Sequence, residues 1–299
     1  MTIAACYLSP EGLVFGADST SSVLMQSGPG TVAFHFYNHN QKVFQIGEKS
    51  TLGVVTWGLG GLGTLSHRTL LAQLADDLQA KPPATMADVA NRWATLFWGA
   101  YTTQLKNELA IFKALQAKLP FDPAAATPAP NSRSKQEEDQ FQSWARDLVV
   151  GFCLGGYVMP SRKPEAFTVT IAPNLSVAPT PMQVQNGGIQ WFGVPNLINR
   201  LMNGYDLNII PAILATRKWQ GTQQELTDLM DQHRLAHAIL PIRDAIDYVF
   251  TSIYSTIKAM KFSSLAQVCG GPIELAVITT DREFRWVRHK AWDSAINEG

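Results

Sequence analysis

The order of predicted elements along this chain indicates an α+β protein built from antiparallel sheets. Short strands come first, two helices follow, and then come more strands, two or more helices and a closing pair of strands. Blocks segregated in this way favour antiparallel sheets with helices on their outer faces over an alternating βαβ fold. Two such sheets face to face, between two helical layers, would bury much of a 299-residue chain that is 46% hydrophobic. We therefore expect one domain over residues 1–299.

Turn signals and short apolar runs define the first strands. Residues 3–8 and 13–17 flank the turn signal Ser9-Pro10-Glu11-Gly12, which predicts a β-hairpin. A second hairpin is predicted from strands at 42–46 and 52–57, which a short polar turn separates.

Two helices are predicted after these strands because the apolar period changes. Leucines recur at helical spacing from Leu65 to Leu78, up to the stop signal Pro82-Pro83. Thr85, with Asp88 three residues later, resembles the N-cap of a second helix.

The chain from about 119 to 140 interrupts this pattern. It is rich in proline and then in polar and charged residues, so its composition predicts a mobile insertion. Strands are predicted to resume at 148–158, 166–172 and 175–177.

The last third of the chain is predicted to return to helices before it ends in strands. Two or three helices are expected between residues 195 and 262, including a long one from about Ile242. Strands at 273–280 and 284–288 close the chain.

Charge and cysteine content argue against several classes of protein. Lys plus Arg equals Asp plus Glu, at 24 each, so the chain lacks the basic field of a nucleic-acid binder. No apolar stretch reaches transmembrane length, and the N-terminus lacks the pattern of a secretory signal. Cys6, Cys153 and Cys269 are scattered, which argues against disulfides or a zinc site. We expect a cytoplasmic protein that binds neither nucleic acid nor membranes.

Thr2 is the main candidate for a catalytic residue. Removal of Met1 would leave a free N-terminal threonine, with an α-amine beside its own hydroxyl. The unperturbed pKa of an α-amine is ~8, so the amine can act as the base that activates the threonine hydroxyl near neutral pH. Such a nucleophile needs no metal and no cofactor, and we expect none.

Several segments of the chain resemble the proteasome β-subunit family. They are Thr2, the hairpin up to Gly16-Ala17-Asp18, Lys42-Val43-Phe44-Gln45-Ile46, the strand at 54–59, and the closing Gly270-Gly271-Pro272 with the strand after it. Phe192-Gly193-Val194-Pro195, followed by Arg200, looks more like the bacterial, ancestral-type relatives of that family. The resemblance implies the four-layer αββα fold of N-terminal nucleophile hydrolases.

The resemblance also implies roles for four residues. Thr2 matches the nucleophile and lies sixteen positions before Asp18, as in the family. Lys42 matches a lysine whose ammonium favours loss of the hydroxyl proton and which Asp18 holds charged. Gly58 matches the glycine whose backbone N–H faces the oxyanion.

Substrate contacts and partners are further expectations from the resemblance. Ser22 matches the position where backbone groups pair with an extended peptide, and Phe44, Thr56 and Gly60 match positions that line the pocket. A peptide or unfolded-protein substrate, a homo-oligomeric ring or spiral, and a possible unfoldase partner are implied in the same way.

The chain departs from the family's pattern around the N-terminal amine. Phe192 stands where a serine is usual, and Ala266 and Cys269 stand where the family has an aspartate and a serine. Two alternatives to a peptidase therefore stay open. One is an N-terminal nucleophile amidohydrolase of small amides, and the other is a catalytically inactive, ring-forming homologue.

Overall fold

The computed structural model describes residues 2–28, 31–124, 129–206, 208–235, 238–264 and 268–290, with the backbone alone for 22–28 and 31–34. The strands are β1 (Ile3–Ser9), β2 (Gly12–Ala17), β3 (Ser21–Gly28), β4 (Thr31–Tyr37), β5 (Val43–Gln45), β6 (Leu52–Gly58), β7 (Val150–Gly156), β8 (Glu165–Ile171), β9 (Met182–Gln183), β10 (Gly188–Gly193), β11 (Glu274–Thr279) and β12 (Arg282–Arg288). The helices are α1 (His67–Ala80), α2 (Met86–Gln104), α3 (Lys106–Gln116), α4 (Lys135–Asp147), α5 (Asn196–Asn203), α6 (Ile209–Ala215), α7 (Gln223–Asp231) and α8 (Ile242–Phe262).

Two compact units share this chain, and each draws on separate segments of it. The first comprises residues 1–43, 186–277 and 285–299, and the second comprises 44–185 and 278–284. The described residues contain two five-stranded sheets, ordered β10-β1-β2-β11-β12 and β5-β6-β7-β8-β9. The predicted α+β class with two antiparallel sheets and helices is confirmed.

The first sheet places the N-terminus between two neighbouring strands. Strand β1 pairs with β2 on one side and with β10 on the other, both antiparallel. All seven residues of β1 are buried, which requires cover on both faces of the strand. Helix α8 covers one of them, where Ile3 packs in a cluster with Val249 and Ile253. The predicted hairpin of β1 and β2 is confirmed, and so is the long helix from Ile242.

The second sheet carries the larger apolar core. Strand β7 lies between β6 and β8, and Phe152 on β7 packs against Trp93 and Phe97 of α2, with ring centroids 4.9 and 4.6 Å apart. Helix α2 begins after the predicted N-cap, because the Thr85 hydroxyl accepts a hydrogen bond from the Asp88 amide at 3.1 Å. The leucine period between residues 65 and 78 marks the buried face of α1, as predicted.

The predicted insertion at 119–140 contains regular structure. Helix α4 begins at Lys135, behind a capping box in which Ser134 and Glu137 each bond to the other's backbone N–H. Arg133 is 5% exposed; it donates to Glu138 at 2.6 Å and to the Leu115 carbonyl at 2.9 Å. These contacts hold residues 129–140 against the end of α3, which a composition-based prediction could not show.

Other boundaries differ from the prediction. Residues 175–177 do not form a strand, and the edge strand is β9 instead. The two-stranded sheet of β3 and β4, helix α3 and strand β10 were not predicted. None of the helices in the described part of the chain is long and apolar enough to cross a lipid bilayer.

Candidate functional site

Thr2 directly precedes β1, and its peptide bond to Ile3 is anchored on both sides. The Ile3 amide donates to Asp18 Oδ1 at 3.1 Å, while the Thr2 carbonyl accepts from the Val194 amide at 2.8 Å. Thr2 is 4% exposed. The end of β2 and the end of β10 therefore hold the backbone of Thr2 from opposite sides.

Asp18 is the centre of this arrangement. Its Oδ1 accepts from the Ile3 amide and from the Lys42 ammonium at 2.7 Å, and its Oδ2 accepts from the amides of Thr20 at 3.2 Å and Gly270 at 2.9 Å. The residue is fully buried. Four donors compensate the buried charge, because hydrogen bonds to an ionised group are stronger than neutral ones.

Lys42 is buried with its charged end toward Asp18. It is 4% exposed, and its Nζ also donates to the Thr20 carbonyl at 2.6 Å. Burial lowers the pKa of Lys42, although the charge of Asp18 and the hydrogen bond to it act in the opposite direction. A lysine in this setting gives up a proton more readily than one in water.

Gly193 fits against Thr2 because it has no side chain. Its φ is +85°, and a Cβ built on it would lie 1.7 Å from the Thr2 carbonyl oxygen. Strand β10 pairs Gly193 with Ile3 and Phe192 with Ala4. The position directly before this glycine is filled by a buried Phe192.

Cys269 lies beside the charged pair as a neutral thiol. It is fully buried, and burial first and Asp18 second raise its pKa to about 12, with Lys42 opposing. A thiol with this pKa is protonated at neutral pH, so Cys269 is not a nucleophile here. Ala266 and Met1 lie outside the described residues.

The predicted substrate position Ser22 lies on β3. There it pairs with Phe36 of β4 in an antiparallel ladder. The predicted pairing of its backbone with an extended peptide substrate stays a prediction.

Four other predicted site residues belong to the second unit. Gly58 ends β6 with φ +84°, and a Cβ there would lie 2.2 Å from the Val149 carbonyl oxygen. Thr56 is buried and donates to the Gly151 carbonyl at 3.2 Å. Phe44 is also buried, in the core of that unit, whereas Gly60 is exposed.

The structure therefore brings Thr2, Asp18 and Lys42 together within the first unit. Sequence reasoning missed the glycines that complete their surroundings, Gly193 and Gly270. Gly193 is suited to this place because a residue without a side chain allows close approach of two backbone segments. The described residues contain no group of three or more His, Cys, Asp or Glu arranged to hold a metal ion.

Comparisons with known proteins find similarity among solved structures. No family model matches the chain, and no curated protein matches it. Among solved structures, the chain is similar to an Anbu (Gly-1) mutant from Hyphomicrobium sp. strain MC1, with 13% identity and a TM-score of 0.48. The match covers 100% of this chain and 91% of that one.

Proposed function

We propose that this chain is a proteasome-like hydrolase that cleaves peptide bonds with Thr2 as its nucleophile, after removal of Met1. One observation carries the proposal. A single oxygen, Asp18 Oδ1, accepts both the Lys42 ammonium and the amide of the Thr2–Ile3 peptide bond. A buried cation with a lowered pKa is thereby held next to the residue that has the hydroxyl.

The chemistry that this arrangement supports begins at the Thr2 hydroxyl. The free Thr2 amine accepts the hydroxyl proton, and Oγ1 attacks the carbonyl carbon of the scissile peptide bond. The amine then returns the proton to the leaving nitrogen as that bond breaks. Water hydrolyses the remaining ester and regenerates Thr2.

Lys42 assists by charge. Its ammonium disfavours a second positive charge nearby, which lowers the pKa of the Thr2 amine and keeps more of it in the basic form. Asp18 orients that ammonium through the 2.7 Å hydrogen bond. The oxyanion role of Gly58, and the substrate roles of Ser22, Phe44, Thr56 and Gly60, are further parts of the proposal that come from the resemblance.

Intact mass and turnover of fluorogenic peptides test the proposal together. We expect loss of Met1 from the protein in its own host, and Thr2-dependent turnover. Thr2→Ala should abolish turnover, and Thr2→Ser should retain part of it because the hydroxyl is kept. Thr103→Ala is the control, since that hydroxyl only bonds a carbonyl of its own helix, that of Gly99.

Three results would count against a peptidase. Full retention of Met1 would leave Thr2 without a basic amine. Turnover of small acyl amides without peptide cleavage would indicate an amidohydrolase. Unchanged activity in Thr2→Ala would show that another residue is the nucleophile.

Assembly into a ring or spiral is a separate proposal, which light scattering of the purified protein tests by measuring the mass of the assembly. An unfoldase partner is tested by whether a folded substrate needs ATP-dependent activity from the host extract.

A further inference from the structure

A second buried charge cluster lies next to the Asp18–Lys42 pair. Glu274, the first residue of β11, is fully buried. His289 Nδ1 lies 2.8 Å from its Oε1, and Lys290 Nζ lies 3.4 Å from its Oε2. Neither Glu274 oxygen has a hydrogen-bond partner among the described residues, so the contact with Lys290 is an ion pair without an aligned hydrogen bond. The proposed mechanism does not use any of these three residues.

Lys290 extends from this cluster to the two segments that carry the catalytic pair. Its Nζ donates to the Asn40 carbonyl at 2.8 Å and contacts Ser19 Oγ at 3.4 Å. Ser19 directly follows Asp18, and Asn40 precedes Lys42 by two positions. One ammonium thus contacts both backbone segments within a few residues of the charged pair.

The same segments are joined to each other and to the loop before β11. The Asn40 amide donates to the Ser19 carbonyl at 3.0 Å, and the Ser19 amide donates to the Gly270 carbonyl at 3.0 Å. Gly270 in turn donates to Asp18. Lys290, paired with Glu274, is therefore linked to Asp18 through the backbone hydrogen bonds of these segments.

We propose that Lys290, held in place by Glu274, is a positioning residue that fixes the spacing between Asp18 and Lys42. Lys290, two residues after the end of β12, is then part of the architecture of the Thr2 site. Stability alone is a weak reason for such a cluster, because burying two charges costs much of what their attraction returns, and apolar replacements are often as stable. The inference rests on the proposed function of Thr2 only in the turnover measurement. The NMR titration of Lys42 does not depend on that function.

The titration of Lys42 tests the proposal without any activity. It is measured by NMR of the protein with ¹³C-labelled lysine side chains, with the Lys42 signal identified by its loss in Lys42→Arg. Lys290→Met removes a neighbouring positive charge, so the pKa of Lys42 should rise. Glu274→Gln removes a neighbouring negative charge, so the pKa of Lys42 should fall. Shifts of opposite sign would show that both charges act on the Asp18–Lys42 pair, and the kcat measurement then tests positioning.

Turnover provides the second readout. Lys290→Met should lower kcat for peptide cleavage by roughly 10- to 100-fold with little change in KM, because the reacting groups and not the substrate are displaced. Lys290→Arg should restore part of kcat, since a cation remains. Lys163→Met is the matched control, because Lys163 forms an exposed ion pair with Glu165 at 3.0 Å in the other unit.

The outcomes separate this inference from the proposed function. The positioning role is overturned if the pKa of Lys42 in Lys290→Met and in Glu274→Gln equals that in the control Lys163→Met. If the wild-type protein shows no Thr2-dependent turnover, the proposed function fails, and the NMR titration still decides the coupling. Should Lys290→Met not fold, Glu274→Gln decides, with a lowered Lys42 pKa in support and an unchanged one against.

Discussion

Replacement of Gly193 by alanine tests whether the close approach of β10 holds Thr2. An alanine Cβ would lie 1.7 Å from the Thr2 carbonyl oxygen, and such atoms do not approach closer than 3.0 Å. Either β10 or the Thr2 carbonyl must therefore move by more than an ångström. That movement breaks the 2.8 Å hydrogen bond from the Val194 amide to the same carbonyl.

The expected cost has two parts that act on stability. A left-handed conformation at an alanine costs roughly 1–2 kcal/mol, and the lost hydrogen bond costs about another 1 kcal/mol. We expect Gly193→Ala to lower the free energy of unfolding by roughly 2–3 kcal/mol in guanidinium denaturation. Gly99→Ala is the control: no neighbouring atom lies within 4 Å of the added Cβ, and the residue is inside α2. It should raise the free energy of unfolding by about 1 kcal/mol, because alanine favours helix.

The same variant should lower the reactivity of Thr2. A displacement of about 1 Å in a reacting group can cost about 100-fold in rate. The measurement is the rate of covalent labelling by a probe for N-terminal threonine, below the denaturation midpoint of the variant. A Gly193→Ala protein as stable as wild type, and labelled as fast, would refute the idea that this contact sets the position of Thr2.

Three further variants test other charged or buried groups. The pKa of His67 is lowered from 6.5 to about 4 by burial, so the unfolded chain takes up a proton between these pH values while the folded one does not. The free energy of unfolding should fall by about 3 kcal/mol from pH 7 to pH 4, and His67→Gln should flatten this slope in urea titrations. Arg133→Lys should cost about 1–3 kcal/mol in thermal unfolding, because lysine cannot reproduce its several directed hydrogen bonds; Arg146→Lys, at an exposed site, should cost almost nothing. Asp18→Asn should cost roughly 3–5 kcal/mol and lower the pKa of Lys42 further, and an unchanged NMR titration of Lys42 would contradict the pairing.

Local signals account for the parts of the fold that the sequence predicted. The turn at 9–12 brings β1 and β2 together, and the leucine period identifies the buried face of α1. Both signals are complete within about fifteen residues. The N-cap at Thr85 is equally local, because its hydroxyl and the amide it caps are three residues apart.

Elements without a clear local signal were missed or misplaced. Strand β10 begins and ends in glycine, and what defines it is pairing with β1, more than 180 residues earlier in the chain. The expected strand at 175–177 is too short to be fixed by its own residues, and Val177 is 72% exposed. Helix α4 did have a local signal, the capping box, but proline-rich composition just before it dominated the interpretation.

The candidate site shows the same division between local and distant information. Asp18 and Lys42 were predicted from their spacing and resemblance, and the structure pairs them. The contacts of Glu274 and Lys290 with the segments beside them could not be predicted, because nothing near either residue in the sequence indicates a partner. Whether residues 1–299 form one domain stays a prediction, and the two compact units are each built from interleaved segments of the chain.

Variants of Thr2 can change activity without disturbing the fold, whereas variants of Asp18 cannot. The reason is the set of donors to Asp18. They come from Ile3, Thr20, Lys42 and Gly270, so the buried charge pair exists only when distant parts of the chain have assembled. Any change at Asp18 therefore removes structural contacts together with the Lys42 contact that the proposed mechanism uses. Thr2, by contrast, is held by its backbone carbonyl and by the amide that follows it, while the proposed chemistry uses its hydroxyl and amine. Side-chain variants of Thr2 leave those anchors in place, so they are the substitutions from which a loss of activity can be attributed to chemistry.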